Sequence, residues 1–281
     1  MRHLLLAGLA GFALTACGTS ETTTVETAAA PAAEPSTAVE EPTVAPLDAA
    51  LAGAWRSEEN KARDVYRNPK RTLTFFDVDA DETVIEIYPG GGWYTEVIAP
   101  YLNTGGGTYI AANFGNEERD QQFLERFSDS NVFGEVNLTT LNPDSGPLIE
   151  DNSVDTVLSF RNVHNWMGAG FEKKVLEDVY ASLKPGGIFG LVEHRLPSSA
   201  DQDPQARSGY VHEDYMISLA KEVGFEFDGS SEVNANPNDT ADHPFGVWTL
   251  PPVSRTTDRD GNAPEGFDPQ KYIAIALANL Y

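Results

Sequence analysis

Apolar and polar positions divide the chain into three regimes. Leu4 to Leu14 is an unbroken apolar run of eleven residues. From Ser20 to about Pro46 large apolar side chains almost vanish among Thr, Ala, Pro and Glu. From Leu47 onward a periodic pattern begins. Leu51, Trp55, Ala62, Val65 and Tyr66 recur at near-helical spacing up to Asn68-Pro69, which predicts an entry helix. Short β-branched runs then alternate with helical ones. Strands are predicted over Thr83–Tyr88, Thr108–Ala112, Glu135–Leu141, Val154–Phe160, Ile188–Glu193 and Phe225–Val233. Helices are predicted over Trp93–Leu102, Asn116–Phe127, Phe171–Leu183 and Val211–Val223, the last followed by Gly224. This alternation is that of an α/β domain with a mostly parallel sheet and helices on both faces. After Val233 the rhythm breaks into an Asn-, Asp-, Pro- and Gly-rich stretch, with a helix expected over Lys271–Leu280.

The first two regimes change the picture of where such a domain works. Arg2 and His3 precede the apolar run, which is too short to span a bilayer and matches the middle of a secretory signal peptide. Leu14-Thr15-Ala16-Cys17 resembles a bacterial lipobox, so residues 1–17 are expected to be a lipoprotein leader with Cys17 lipidated. Residues 18–46 would be an acidic, disordered tether, too poor in apolar side chains to offset its ordering entropy. Residues 47–281 would be the domain. The expected setting is an exported bacterial lipoprotein facing the periplasm, and Gly18 after the cysteine favours the outer membrane by the same resemblance.

Charge and cysteine content narrow the partners. Of 281 residues, 43 are acidic and 19 basic, a formal net charge of −24, which repels nucleic-acid phosphates. Cys17 is the single cysteine, so the domain holds no disulfide, no thiolate zinc site and no thiol nucleophile.

The candidate chemistry starts at 83-TVIEIYPGGGWYTE-96. Three glycines between a strand and a helix let a ligand approach the backbone and the helix N-terminus. Thr95 stands where a dinucleotide fingerprint has its third glycine, and no Gly-Lys-Ser/Thr follows, so pyrophosphate and P-loop readings are disfavoured. Glu86-Ile87-Tyr88-Pro89-Gly90-Gly91-Gly92 resembles the first motif of class I S-adenosylmethionine-dependent methyltransferases. Leu183-Lys184-Pro185-Gly186-Gly187 resembles that family's turn into its fifth strand, and Glu150 to Ser159 its approach to the fourth. YPGGGWYTE and FRNVHNW are similar to a subgroup of exported predicted methyltransferases. The resemblance covers about Thr83 to Val233 and implies a Rossmann-like sheet. It implies S-adenosylmethionine as cofactor, held by Glu86, Tyr88, Gly90, Gly91, Gly92, Asn113, Asn142 and Arg161, and a small-molecule acceptor. The chain departs from the family at Tyr88, in the first glycine position, and at Asn113 and Asn142, where acids often stand. The family's antiparallel last strand is not evident after Val233.

Arg161 to Trp166 and Glu193-His194-Arg195 follow the fourth and fifth strands, so His164, Glu193 and His194 converge by topology. His164 is the expected general base, with Glu193 or His194 orienting it or touching substrate. His212 and His243 complete a set that suits a metal by type, but no helix-spaced ligand pair occurs and no metal is expected. The alternative to an enzyme is an exported binding module that keeps the fold without turnover.

Overall fold

The computed structural model describes residues 1–7, 45–237, 239–250 and 253–268. Cys17, the tether up to residue 44 and the helix expected over Lys271–Leu280 lie outside the described residues.

Seven parallel strands form one sheet. They are β1 (His3–Ala7), β2 (Thr83–Ile87), β3 (Thr108–Asn113), β4 (Val136–Thr140), β5 (Val154–Phe160), β6 (Leu183–Val192) and β7 (Glu226–Ser231), in the order β4-β3-β2-β5-β6-β1-β7. Four short helices precede β2: α1 (Pro46–Ala52), α2 (Glu58–Ala62), α3 (Asp64–Arg67) and α4 (Pro69–Phe75). Then come α5 (Thr95–Gly105), α6 (Glu117–Arg126), α7 (Ser130–Phe133), α8 (Val163–Ala169), α9 (Glu172–Ser182) and α10 (Glu213–Val223). This is a Rossmann-like doubly wound sheet with the switch in winding direction between β2 and β5.

Alternation along each strand sends side chains into two cores. Ile85, Ile87, Ile110, Val157 and Phe189 pack with Trp166, Val175, Leu176 and Val179 of α8 and α9. Val84, Tyr109, Ala111 and Leu158 pack on the opposite face with Leu73, Val97, Ile98 and Phe127. Strands buried on both faces read as nearly continuous apolar runs, as these do.

Three findings differ from the expectations. The entry helix is broken into α1, α2 and α3, because Gly53 caps α1 and Ser57 starts α2 with its side chain accepting from the Asn60 amide at 3.1 Å. The stretch after β5, for which no element was predicted, contains α8. Finally, His3–Ala7 lies within the stretch read as a leader, yet it forms an interior strand. It pairs in parallel with β6 (Leu5↔Gly190) and with β7 (Leu4↔Phe227), and Leu4, Leu5 and Leu6 are buried. The place beside β7 where the resemblance puts an antiparallel last strand is filled by β1. Arg2 adds a hydrogen bond to Asn152 Oδ1 at 2.6 Å and stacks over the Tyr180 ring at 4.1 Å.

Among the described residues no helix is long and apolar enough to cross a membrane.

Candidate active site

The carboxyl ends of β2, β5 and β6 meet at the switch point. The turn after β2 is built from unusual backbone. Tyr88, Gly90 and Gly92 all have positive φ, 49°, 60° and 79°. Tyr88 therefore adopts the left-handed conformation that glycine takes without strain, which accounts physically for a glycine at this position in the family it resembles. Its hydroxyl donates to the Leu141 carbonyl at 2.5 Å, and its ring lies against Phe114. The glycines have separate reasons. A Cβ at Gly92 would meet the Phe127 ring at 2.3 Å, whereas at Gly90 it would meet nothing within 4 Å. Gly92 serves packing; Gly90 keeps the backbone bare where the turn opens onto a cavity. Arg126 closes the turn from α6, donating to the Gly91 carbonyl and to Glu96 Oε1 at 2.6 Å.

Glu86 is 2% exposed behind this turn. Its Oε2 accepts from Tyr109 Oη at 2.6 Å and Thr95 Oγ1 at 3.1 Å. Thr95, the residue that excluded a dinucleotide fingerprint, thus serves as a support for the acid. Burial raises the Glu86 pKa to about 7, against the two hydroxyl donors that favour the carboxylate.

Two cavities share one wall. The first is lined by Glu86, Tyr88, Pro89, Gly90, Gly91 and Trp93, together with Arg63 and Arg126. The second is lined by Asn68, Glu193, His194, Asn234, Asn236 and Asp239 among others. Arg67, Tyr94, Phe160 and Arg161 border both. Tyr94 and Phe160 are stacked with centroids 3.5 Å apart, forming the apolar part of this divider.

Glu193 and His194 face the second cavity; His164, on α8, stands behind Glu193 and is not part of the cavity wall. The His164 Nδ1 and its backbone amide both contact Glu193 Oε2, at 3.2 and 3.3 Å, and its ring meets Trp248 edge-on. Glu193 Oε1 accepts from the His194 amide at 2.8 Å. Burial alone would raise the Glu193 carboxyl, but the charge and hydrogen bond of His164, then His194, bring it below the ordinary range. His194 is the opposite case. Burial first, partly opposed by Glu193, lowers its pKa to about 4, so the ring is neutral at pH 7. Its Nδ1 is buried and has no hydrogen-bond partner among the described residues. The expected convergence of the three residues is present, with His164 and His194 in exchanged positions relative to the cavity.

Asn113 and Asn142 lie at the ends of β3 and just past β4, but both amides are engaged. Asn142 Nδ2 donates to the Phe114 carbonyl at 3.0 Å, and its Oδ1 accepts from the Asp144 amide. Asn113 Nδ2 donates to Asp120 Oδ1 at 2.8 Å. Asp120 comes from the first turn of α6 and borders a third hollow with Tyr88, Gly90, Asn113 and Phe114. The carboxylate missing from the end of β3 is thus supplied seven residues later, and the acidic turn Glu117-Glu118-Arg119-Asp120 was its signal. Sequence reasoning also missed Arg67 and Asp239. Asp239 accepts from Tyr210 Oη at 2.8 Å and contacts His243 Nε2 at 3.0 Å, joining two loops over the second cavity. Among the described residues no three or more His, Cys, Asp or Glu side chains are grouped to hold a metal ion.

No family model matches the chain, and no curated protein does. Solved structures do resemble it. A SAM dependent methyltransferase from Aquifex aeolicus aligns with TM-score 0.45 and 17% identity, over 58% of this chain and 82% of the other. The [4+2]-cyclase SpnF aligns with TM-score 0.48 and 15% identity, over 64% and 68%. A SAM-dependent methyltransferase from Methanosarcina mazei aligns with TM-score 0.42 and 17% identity, over 54% and 82%. Likeness at these levels carries no argument about chemistry. The fold rests on the strand order, and the reading of the site on its own geometry.

Proposed function

We propose that the protein is an S-adenosylmethionine-dependent methyltransferase acting on a small-molecule acceptor. The observation that carries this reading is the pair of adjoining cavities at the switch point. One has a bare glycine backbone with a buried acid behind it. The other is lined by His194, whose ring is neutral at pH 7 and whose buried Nδ1 has no hydrogen-bond partner among the described residues.

The residues fit the cofactor. Gly90 leaves open space where a side chain would intrude, and Glu86 offers a carboxylate to a cationic amine. Tyr88, Gly91 and Asp120, the last reached through Asn113, complete the cradle. The bound cofactor would supply an electrophilic methyl group on a sulfonium. Tyr94 and Phe160 keep water from the divide and set the approach of the acceptor. His194 would accept the proton that an oxygen or nitrogen acceptor loses on methylation. Glu193 orients His194 through the backbone amide, and His164 keeps Glu193 ionised.

The setting belongs to the same proposal: a lipid anchor at Cys17, a tether through residue 46, and the domain held at the periplasmic face of the outer membrane. S-adenosylmethionine is charged and made in the cytoplasm, so this setting requires a supply across a bilayer. A second reading, an exported binding module without turnover, is favoured by Asn142, whose amide is spent on the loop.

Calorimetry with S-adenosylmethionine and S-adenosylhomocysteine tests the first reading. Micromolar binding is expected, lost in Gly90→Val and in Glu86→Ala. No heat from folded wild-type protein leaves the binding module as the better account.

A further inference from the structure

The wall between the two cavities holds two guanidinium groups that the described residues do not neutralise. Arg56, Arg126 and Arg195 each end on a carboxylate, at 2.5–2.8 Å. Arg67 and Arg161 do not: among the described residues neither guanidinium has a hydrogen-bond or ion-pair partner, and Arg67 Nε is buried without one. This occurs in a chain with 43 acidic residues against 19 basic ones.

The three carboxylates that line the two cavities are committed elsewhere. Glu86 serves Thr95 and Tyr109, Glu193 serves His164 and the His194 amide, and Asp239 serves Tyr210 and His243. Both arginines are also held in place. The Arg67 guanidinium lies 4.6 Å from the centre of the Trp93 ring, which fixes its plane. Arg161 sits in left-handed backbone at φ 62°, its amide tied to the Val192 carbonyl at 2.7 Å. Strained backbone of this kind persists where the surroundings impose it, and it gathers at ligand sites. Burial, then the charges of Arg161 and Arg63, lowers the Arg67 pKa, and Tyr94 and Glu86 offset this only in part.

We propose that Arg67 and Arg161 form an oxyanion-binding pair on the acceptor side of the divide, so that the molecule methylated carries a carboxylate or phosphate group. This rests on the methyl-transfer reading and names the acceptor class for it. A planar guanidinium fork matches either oxyanion, and two forks in the wall that borders both cavities discriminate against neutral and cationic acceptors. The bound anion also sets a negative charge beside the sulfonium, where two bare guanidiniums would repel it. The anion is the anchor; the methylated atom lies on the side of His194.

The test is calorimetry on the full chain, using benzoate and inorganic phosphate as probes, with S-adenosylhomocysteine at saturation. At least one probe is expected to bind in the millimolar range, and Arg67→Gln and Arg161→Gln are each expected to weaken it at least tenfold. Thermal melting verifies that both variants are folded, and Arg67→Lys, which keeps the charge but loses the fork, is expected to fall between. The proposal is overturned if neither probe binds. It is equally overturned if both glutamine variants bind the probe as well as wild type does. Binding of the probe to the chain without S-adenosylhomocysteine but not with it also overturns the proposal, by assigning the pair to the cofactor's own carboxylate. If the chain binds the probe through the two arginines but fails to bind S-adenosylhomocysteine, the oxyanion site stands and the methyl-transfer reading falls.

Discussion

At the scale of single residues, the site is defined by what burial does to a few ionisable groups. Glu86 is nearly buried and its folded pKa is raised from 4.5 to about 7. The folded protein therefore holds this proton more tightly than the unfolded chain does. Its contribution to stability is fullest below pH 4.5 and is lost as pH rises to about 7, by roughly 3 kcal/mol. Glu86→Gln removes that dependence, so its stability relative to wild type is expected to improve steadily between pH 5 and pH 8 in urea titrations. A flat difference across this range would mean that Glu86 is ionised throughout. The two flanking glycines separate in the same way. Gly92→Ala forces a Cβ into Phe127 and is expected to cost about 1–3 kcal/mol in thermal melts. Gly90→Ala meets no atoms and bears only the left-handed backbone cost, about 1 kcal/mol. Equal losses would contradict this division of roles. Motif spacing identified both glycines, but not which one packs and which one opens, since Phe127 lies 35 residues further along the chain.

At the scale of elements, six of the seven strands were legible because apolar, β-branched runs buried on two faces carry their own signature. Val154–Phe160 agrees to the residue with β5 and four others agree within two residues at each end, while β6 begins at Leu183, five residues before the predicted Ile188. The element after β5 was hidden. Val163–Ala169 is a short helix of mixed residues for which no element was predicted, and it is this helix that turns His164 toward Glu193 instead of the cavity. The missing acid at the end of β3 was misjudged for a related reason. Spacing looked for it on the strand, while the fold brings Asp120 to Asn113 from the next helix. Arg67 was invisible for a third reason: a single arginine in a helical run has the pattern of a solvated face, and only the packing of α3 against Trp93 shows it turned inward. Convergence of groups from separate elements is set by tertiary packing, and a linear pattern records it weakly.

At the scale of the whole molecule, the acidic composition and the inward arginines form one electrostatic arrangement, a negative chain with a positively lined cavity at the glycine turn. The other global feature is β1. Three leucines of this strand, Leu4, Leu5 and Leu6, are buried in the middle of the sheet, each worth about 1.5–3 kcal/mol. A chain lacking residues 1–16 is therefore expected to unfold at markedly lower urea than the full chain; equal midpoints would mean that the sheet closes without β1. The consequence is one of timing. The same few residues cannot be threaded through a secretion channel and hydrogen-bonded on both sides at once. On the proposed export reading, a newly made chain that completes its sheet first has withdrawn the leader that reading requires. A chain captured before that point leaves a gap between β6 and β7, with two strand edges exposed, that something else must cover. If the proposed leader is real, the compartment that holds the protein is decided by a race between the folding of the new chain and its capture.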